Sequence, residues 1–208
     1  MANAEAQTLI ITSRCSGGCL PCPFGQGKLP QRYLGAAEVI EAVSRSAFPL
    51  VVITGGEPLE HPHIENIIAG LKSASDAGQC APFRIATGGH IQLAPVLANL
   101  RNCAAFRGVS LGSDVLSRTS IHCETHTPVW TENVRWLNSE KIRYSLTLTL
   151  HRSQIEHDAL APLRKAANLG AQPGFVYLRH YEDLDGLALL HKEINKIFEN
   201  ALILCESL

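Results

Sequence analysis

Short β-branched runs alternate with segments of helical period from one end of the chain to the other, and this alternation restricts the fold more than any other feature. Thr8-Leu9-Ile10-Ile11-Thr12 and Leu50-Val51-Val52-Ile53 are too short for helices and read as strands. Between them a glycine- and cysteine-rich loop, 13–29, leads into a helix over 35–46. Ile64, Ile67, Ile68 and Leu71 recur at helical spacing, so 61–76 is expected to be helical, with Gly78 as its stop. Strands are expected at 83–87, 107–111, 143–150 and 174–178, and helices at 92–100, 128–138, 154–169 and 183–200. In 143–150 the alternation puts Tyr144, Leu146, Leu148 and Leu150 on one face and Ser145, Thr147 and Thr149 on the other.

Each crossover is long enough to hold a helix, so the strands should be parallel. Six strand–helix units fit the 208 residues at about 35 residues each, whereas eight would be tight beside the ~250 of a closed barrel. The expected fold is therefore α/β, an open (β/α)6 barrel formed by residues 1–208 as one domain. A flat doubly wound sheet has the same periodicity and stays as the alternative. Hydrophobic residues at 46% supply a core. A net charge of −1 and the lack of any basic run give no reason to expect nucleic acid as a partner. No apolar stretch is long enough for a membrane span, and the start lacks the pattern of a secretion signal, so the cytoplasm is the expected compartment.

Seven cysteines, three of them within eight residues, fit a metal site better than a disulfide framework. The loop reads Cys15-Ser16-Gly17-Gly18-Cys19-Leu20-Pro21-Cys22. Thiolates are the usual ligands of iron–sulfur clusters, and three of them at this spacing leave one corner of a cubane open to a small molecule. Gly17 and Gly18 allow the tight turns such wrapping needs. The alternative is a structural zinc site, for which no fourth ligand stands nearby, although His61, His63 or Cys80 could come from afar. Because the loop follows the first strand, a parallel architecture places it at the C-terminal end of the sheet, where active sites form.

The cysteine loop together with Thr54-Gly55-Gly56-Glu57-Pro58 after the second strand resembles the radical SAM superfamily, named for S-adenosylmethionine (SAM). The resemblance extends over about residues 8–180. It implies a [4Fe-4S] cluster held by Cys15, Cys19 and Cys22, and SAM held in part by Gly55, Gly56 and Glu57. It further matches Thr87-Gly88-Gly89 to the third-strand turn and Ser110 to a serine that contacts SAM, and Thr147 faces the same interior. The family's aromatic residue before the third cysteine is Pro21 here, which leaves Phe24 as the ring for adenine. The implied chemistry is reductive cleavage of SAM to a 5′-deoxyadenosyl radical that abstracts hydrogen from a peptide or small molecule, in natural-product or cofactor maturation. A flavodoxin or ferredoxin is the implied electron donor. The alternatives are an activase that installs a glycyl radical in a partner enzyme and a non-catalytic iron–sulfur or zinc module.

No catalytic side chain is singled out. His61 and His63 read as a helix end, and His122, Cys123 and His126 as a polar loop, 112–127, that binds metal, gates substrate or does neither. His151 and Arg179 fall at strand ends. Cys80, Cys103 and Cys205 read as packed thiols, and Trp130 and Trp136 as core.

Overall fold

A computed structural model describes residues 6–19, 22–117, 122–150, 159–180, 187–199 and 201–207. Its strands are β1 (Ala6–Ile10), β2 (Leu50–Thr54), β3 (Phe83–Thr87), β4 (Phe106–Gly112), β5 (Tyr144–Leu150), β6 (Phe175–His180) and β7 (Leu202–Ser207). Its helices are α1 (Ala36–Ser44), α2 (Ile64–Asp76), α3 (Ala94–Leu97), α4 (Cys123–Ser139), α5 (Ala161–Asn168) and α6 (Leu187–Ile197).

All seven strands are parallel, and their order in the sheet is their order in the chain. A doubly wound sheet must reverse direction at a switch point, so the sequential order excludes that alternative. With right-handed crossovers, every helix falls on one face of such a sheet, and the sheet curls around its other face. The open barrel therefore stands, with one strand more than the six expected: β7 pairs with β6 from Phe175↔Leu202 to His180↔Ser207.

The two faces differ as this geometry requires. Val51, Ile53, Phe83, Ile85, Val109, Leu111, Leu146 and Leu148 point to the helices and are buried. Each such side chain contributes roughly 1.5–3 kcal/mol by leaving water. The inward row across the middle of the barrel is small or polar: Ala86 pairs with Ser110, and Ser110 with Ser145. The next inward row runs from Gly112 to Thr147 and Tyr177. At the two open edges the inward face is apolar and exposed, at Ile10 (53%) and Leu202 (56%).

Two helices depart from expectation. Residues 92–100 split into α3 and a 3-10 turn, Ala98–Leu100. Helix α4 begins at Cys123 and runs through Pro128, so the last part of the expected polar loop, 123–127, is helix. The Thr127 and Thr131 hydroxyls donate to the carbonyls one turn back, Cys123 and Thr127, and Pro128 leaves the Glu124 carbonyl without its helical N–H donor.

Candidate functional site

The chain leaving β1 runs directly into the cysteine loop, and the base of that loop is closed by backbone pairing. Leu34 N–H donates to the Ile11 carbonyl at 2.9 Å, and Ser13 N–H to the Arg32 carbonyl at 2.8 Å. The Ser13 hydroxyl donates to the Pro30 carbonyl at 2.7 Å. The loop is thus pinned at both ends.

Against the base of the loop lies the turn that follows β2. Gly56 N–H donates to the Thr12 carbonyl at 2.8 Å and Glu57 N–H to the Arg14 carbonyl at 2.7 Å. Only glycine fits here: a Cβ on Gly55 would stand 2.3 Å from the Thr12 oxygen, and one on Gly56 2.3 Å from the Arg14 oxygen. The paired glycines are therefore the means by which the turn touches the cysteine loop, backbone to backbone.

Glu57 carries the connection on to β3. Its carboxylate is fully buried and accepts from Leu59 N–H (3.1 Å), the Thr87 hydroxyl (2.8 Å) and Gly88 N–H (3.0 Å). Burial pushes its pKa above the ordinary carboxylate range, against the pull of His90 and of these three donors. Buried Asn133 on α4 then clamps the third turn: it donates to the Gly89 and Ile91 carbonyls and accepts from Leu93 N–H. Trp130 donates to the Gly112 carbonyl at 2.9 Å. Asp114 takes the Thr149 N–H and hydroxyl. Side chains thus stitch together the C-terminal ends of consecutive strands.

A second group of residues packs under the cysteine loop. Glu60, on the turn Pro58–Glu60, accepts from Ser16 N–H (2.8 Å) and from the Ser16 hydroxyl (2.5 Å). Its carboxylate also meets His90 Nε2 at 3.2 Å and Arg14 Nε at 3.3 Å. Burial acts to raise the Glu60 pKa, but the hydrogen bonds from His90 and Ser16 outweigh it and bring the group down to about 2. His90 lies beneath Gly17, where an added Cβ would come within 3.1 Å of the imidazole. The His126 ring packs against His90 at 4.9 Å, and burial pushes its pKa down to about 4. The Nδ1 atoms of both imidazoles are buried without a hydrogen-bond partner.

Cys15, Cys19 and Cys22 are free, half-buried thiols. Burial pushes Cys15 and Cys19 up to about 12; the charges of Glu57, Glu60 and Cys22 act in the same direction on Cys15, and those of Asp114, Cys15 and Cys22 on Cys19. Half-buried thiols outside any disulfide become thiolates when a cation binds them. Among the described residues no three His, Cys, Asp or Glu groups are placed to hold a single metal ion.

The other residues singled out in the sequence divide clearly. Thr87 is committed to Glu57 and to Gly89 N–H. Ser110 accepts from Ser145 at 3.2 Å and from Arg84 at 3.4 Å, inside the barrel. Thr147 is half-buried one level above, and Phe24 is half-buried on the return arm of the cysteine loop. His61 is not a solvated helix end; it is buried, with Nε2 on the Leu34 carbonyl and Nδ1 accepting from His63 N–H. Cys123 lies between the Leu116 carbonyl and Lys165. Cys103 and Trp130 are core. Arg179 stands near the end of β6, in register with Thr149 and Glu206, and His151 lies outside the described residues. Glu60, His90 and Asn133 were not singled out, although Glu60 lies three residues after Glu57 and His90 directly follows the Thr87 turn.

No protein-family model and no curated protein sequence matches the chain. Solved structures do. Methylornithine synthase (PylB) superposes with a TM-score of 0.67 at 12% identity, over 95% of this chain and 63% of that one. Native anSMEcpe with bound AdoMet gives 0.65 at 12%, over 96% and 64%. Native anSMEcpe with bound AdoMet and Kp18Cys peptide gives 0.63 at 13%, over 96% and 64%. The chain therefore spans just under two thirds of the length of these proteins, and what it shares with them is the fold, an open parallel barrel.

Proposed function

We propose that this protein is a radical SAM enzyme in which Cys15, Cys19 and Cys22 hold a [4Fe-4S] cluster. One observation carries this: the loop after β1 that bears three free thiols is joined at its base, through the Thr12 and Arg14 carbonyls, to the Gly55-Gly56-Glu57 turn after β2. A zinc site would need four ligands, and the loop itself supplies three cysteines. When bound, the cluster supplies the electron that cleaves SAM into methionine and a 5′-deoxyadenosyl radical, which takes hydrogen from the substrate.

The chain's own residues bind and orient. Gly55 and Gly56 let the second turn approach the cysteine loop closely enough to bind the amino end of SAM beside it. Glu57 fixes that turn to Thr87 and Gly88 and contributes to SAM binding through it. Phe24 supplies the adenine contact, and Ser110 and Thr147 line the interior where the ribose and the substrate meet. Glu60 and His90 hold the Arg14–Gly17 stretch of the cysteine loop in place.

A peptide or small-molecule substrate fits the exposed inner face, and a solved neighbour carries a bound peptide. The electron donor in this proposal is a flavodoxin or ferredoxin, and no helix among the described residues is long and apolar enough to cross a membrane. The test is anaerobic reconstitution with iron and sulfide, followed by dithionite and SAM. Four irons and a 5′-deoxyadenosine product are expected. Bound zinc without sulfide, or intact SAM after reduction of a cluster-loaded protein, would refute the proposal.

A further inference from the structure

The opposite end of the barrel, where β3 to β6 begin, holds a cavity of about 470 Å³. That is within the usual range for a small-molecule site. Four cations line it, Arg84, Arg107, Lys141 and Arg143, and no acidic residue among the described residues does. In a chain with a net charge of −1 such a grouping is not the average surface. Among the described residues none of the four forms an ion pair. Arg84 reaches Ser110 with one nitrogen at 3.4 Å, while its Nε is buried without a partner. A guanidinium nitrogen left unpaired in this way has a bond to give to an anion that enters.

Local backbone features gather these cations. Between Phe83↔Phe106 and Ile85↔Val109 the register slips by one, so Arg107 and Gly108 together face Arg84. This bulge, with Gly108 at φ 102, turns β4 at the cavity. Lys141 follows α4 at φ 55, the only non-glycine with positive φ among the described residues. The corresponding residues after α2 and α5 are Gly78 and Gly170. Lysine thus stands where glycine is the cheaper residue, and its backbone still makes the helix-ending bonds, with Ile142 N–H on the Leu137 carbonyl at 3.0 Å. Strain retained beside a cavity points to a use for the side chain. The walls are apolar, at Leu137, Ile142 and Phe175.

We infer that this cavity is a second binding site, for a small organic anion that presents a phosphate or carboxylate to Arg84, Arg107, Lys141 and Arg143 and an apolar body to the wall. Its Arg84 stands about 10 Å along β3 from Thr87, three residues at the strand rise. It does not depend on the cluster.

The test is calorimetric titration of the reconstituted full chain with 1-naphthyl phosphate, 1-naphthoate and uncharged 1-naphthol. One or both anions should bind saturably at one per chain, with affinity falling as NaCl rises, while the naphthol does not bind. Lys141→Gly and Arg143→Gln should each raise Kd roughly tenfold, and Lys141→Gly should at the same time melt at a higher temperature. The ratio of the two anion affinities identifies the group that is read. Binding of neither anion, equal binding of the naphthol, or unchanged affinity in both variants would overturn the inference.

Discussion

The Glu57 carboxylate, at the end of β2, accepts the Thr87 hydroxyl, at the end of β3, at 2.8 Å in a fully buried position. Two more donors, Leu59 N–H and Gly88 N–H, complete its shell. Glu57→Ala would leave all three unpaired and open a void. A loss of about 3 kcal/mol is expected, read from the urea midpoint. SAM affinity, measured by titration of the cluster-loaded variant, should fall with iron content retained. Unchanged SAM affinity would remove Glu57 from the site.

Each of Cys15→Ala, Cys19→Ala and Cys22→Ala should abolish 5′-deoxyadenosine formation and lower bound iron and sulfide. The apo-proteins should unfold within about 1 kcal/mol of the wild type, because half-buried thiols add little packing. Colorimetric iron and sulfide assays decide the first point and denaturant curves the second. A variant that keeps full activity would take that cysteine out of the ligand set.

Glu60 predicts an acid-sensitive loop. Burial acts to raise its pKa, but hydrogen bonds to His90 and Ser16 outweigh burial and bring it from 4.5 to about 2. A lowered acid pKa stabilises the fold above the unfolded value and loses that contribution as pH falls through the folded one. The tie between Glu60 and Ser16 should therefore hold at pH 5 and weaken progressively towards pH 2. Hydrogen exchange at Ser16 and Gly17 should accelerate over that interval in the apo-protein. In Glu60→Gln it should be fast throughout and insensitive to pH after correction for intrinsic rates.

The parallel strands were legible because runs such as Leu50–Ile53 are β-branched and short, and Tyr144–Leu150 alternates without a break. The cysteine loop and the Gly55-Gly56 turn were legible as two motifs that follow consecutive strands, but the backbone contact between them was not. β7 was not, because Leu202-Ile203-Leu204 follows a helical segment closely and exposes part of its apolar face at a sheet edge. The start of α4 was hidden by Pro128, which usually marks a first turn but stands here in the sixth helical position. Glu60, His90 and Ser16 converge from three separate segments, and no periodicity within one segment reports a contact made across thirty or more residues.

The glycine pair gives the sharpest contrast between steric and conformational effects. At Gly56 the conflict is with backbone: a Cβ would lie 2.3 Å from the Arg14 oxygen and 2.7 Å from its carbon. That carbonyl cannot retreat, since it accepts Glu57 N–H at 2.7 Å and leads into Cys15. Gly56→Ala must therefore push the cysteine loop off the turn, and a loss of about 3 kcal/mol or more is expected together with poor iron uptake. Gly78 has φ 68 but open space around it, so Gly78→Ala carries only the left-handed backbone penalty, about 1–2 kcal/mol, with iron uptake intact. Urea midpoints and iron content after reconstitution separate the two. If Gly56→Ala took up iron and unfolded like the wild type, the close contact between the two loops would not be what holds the site together.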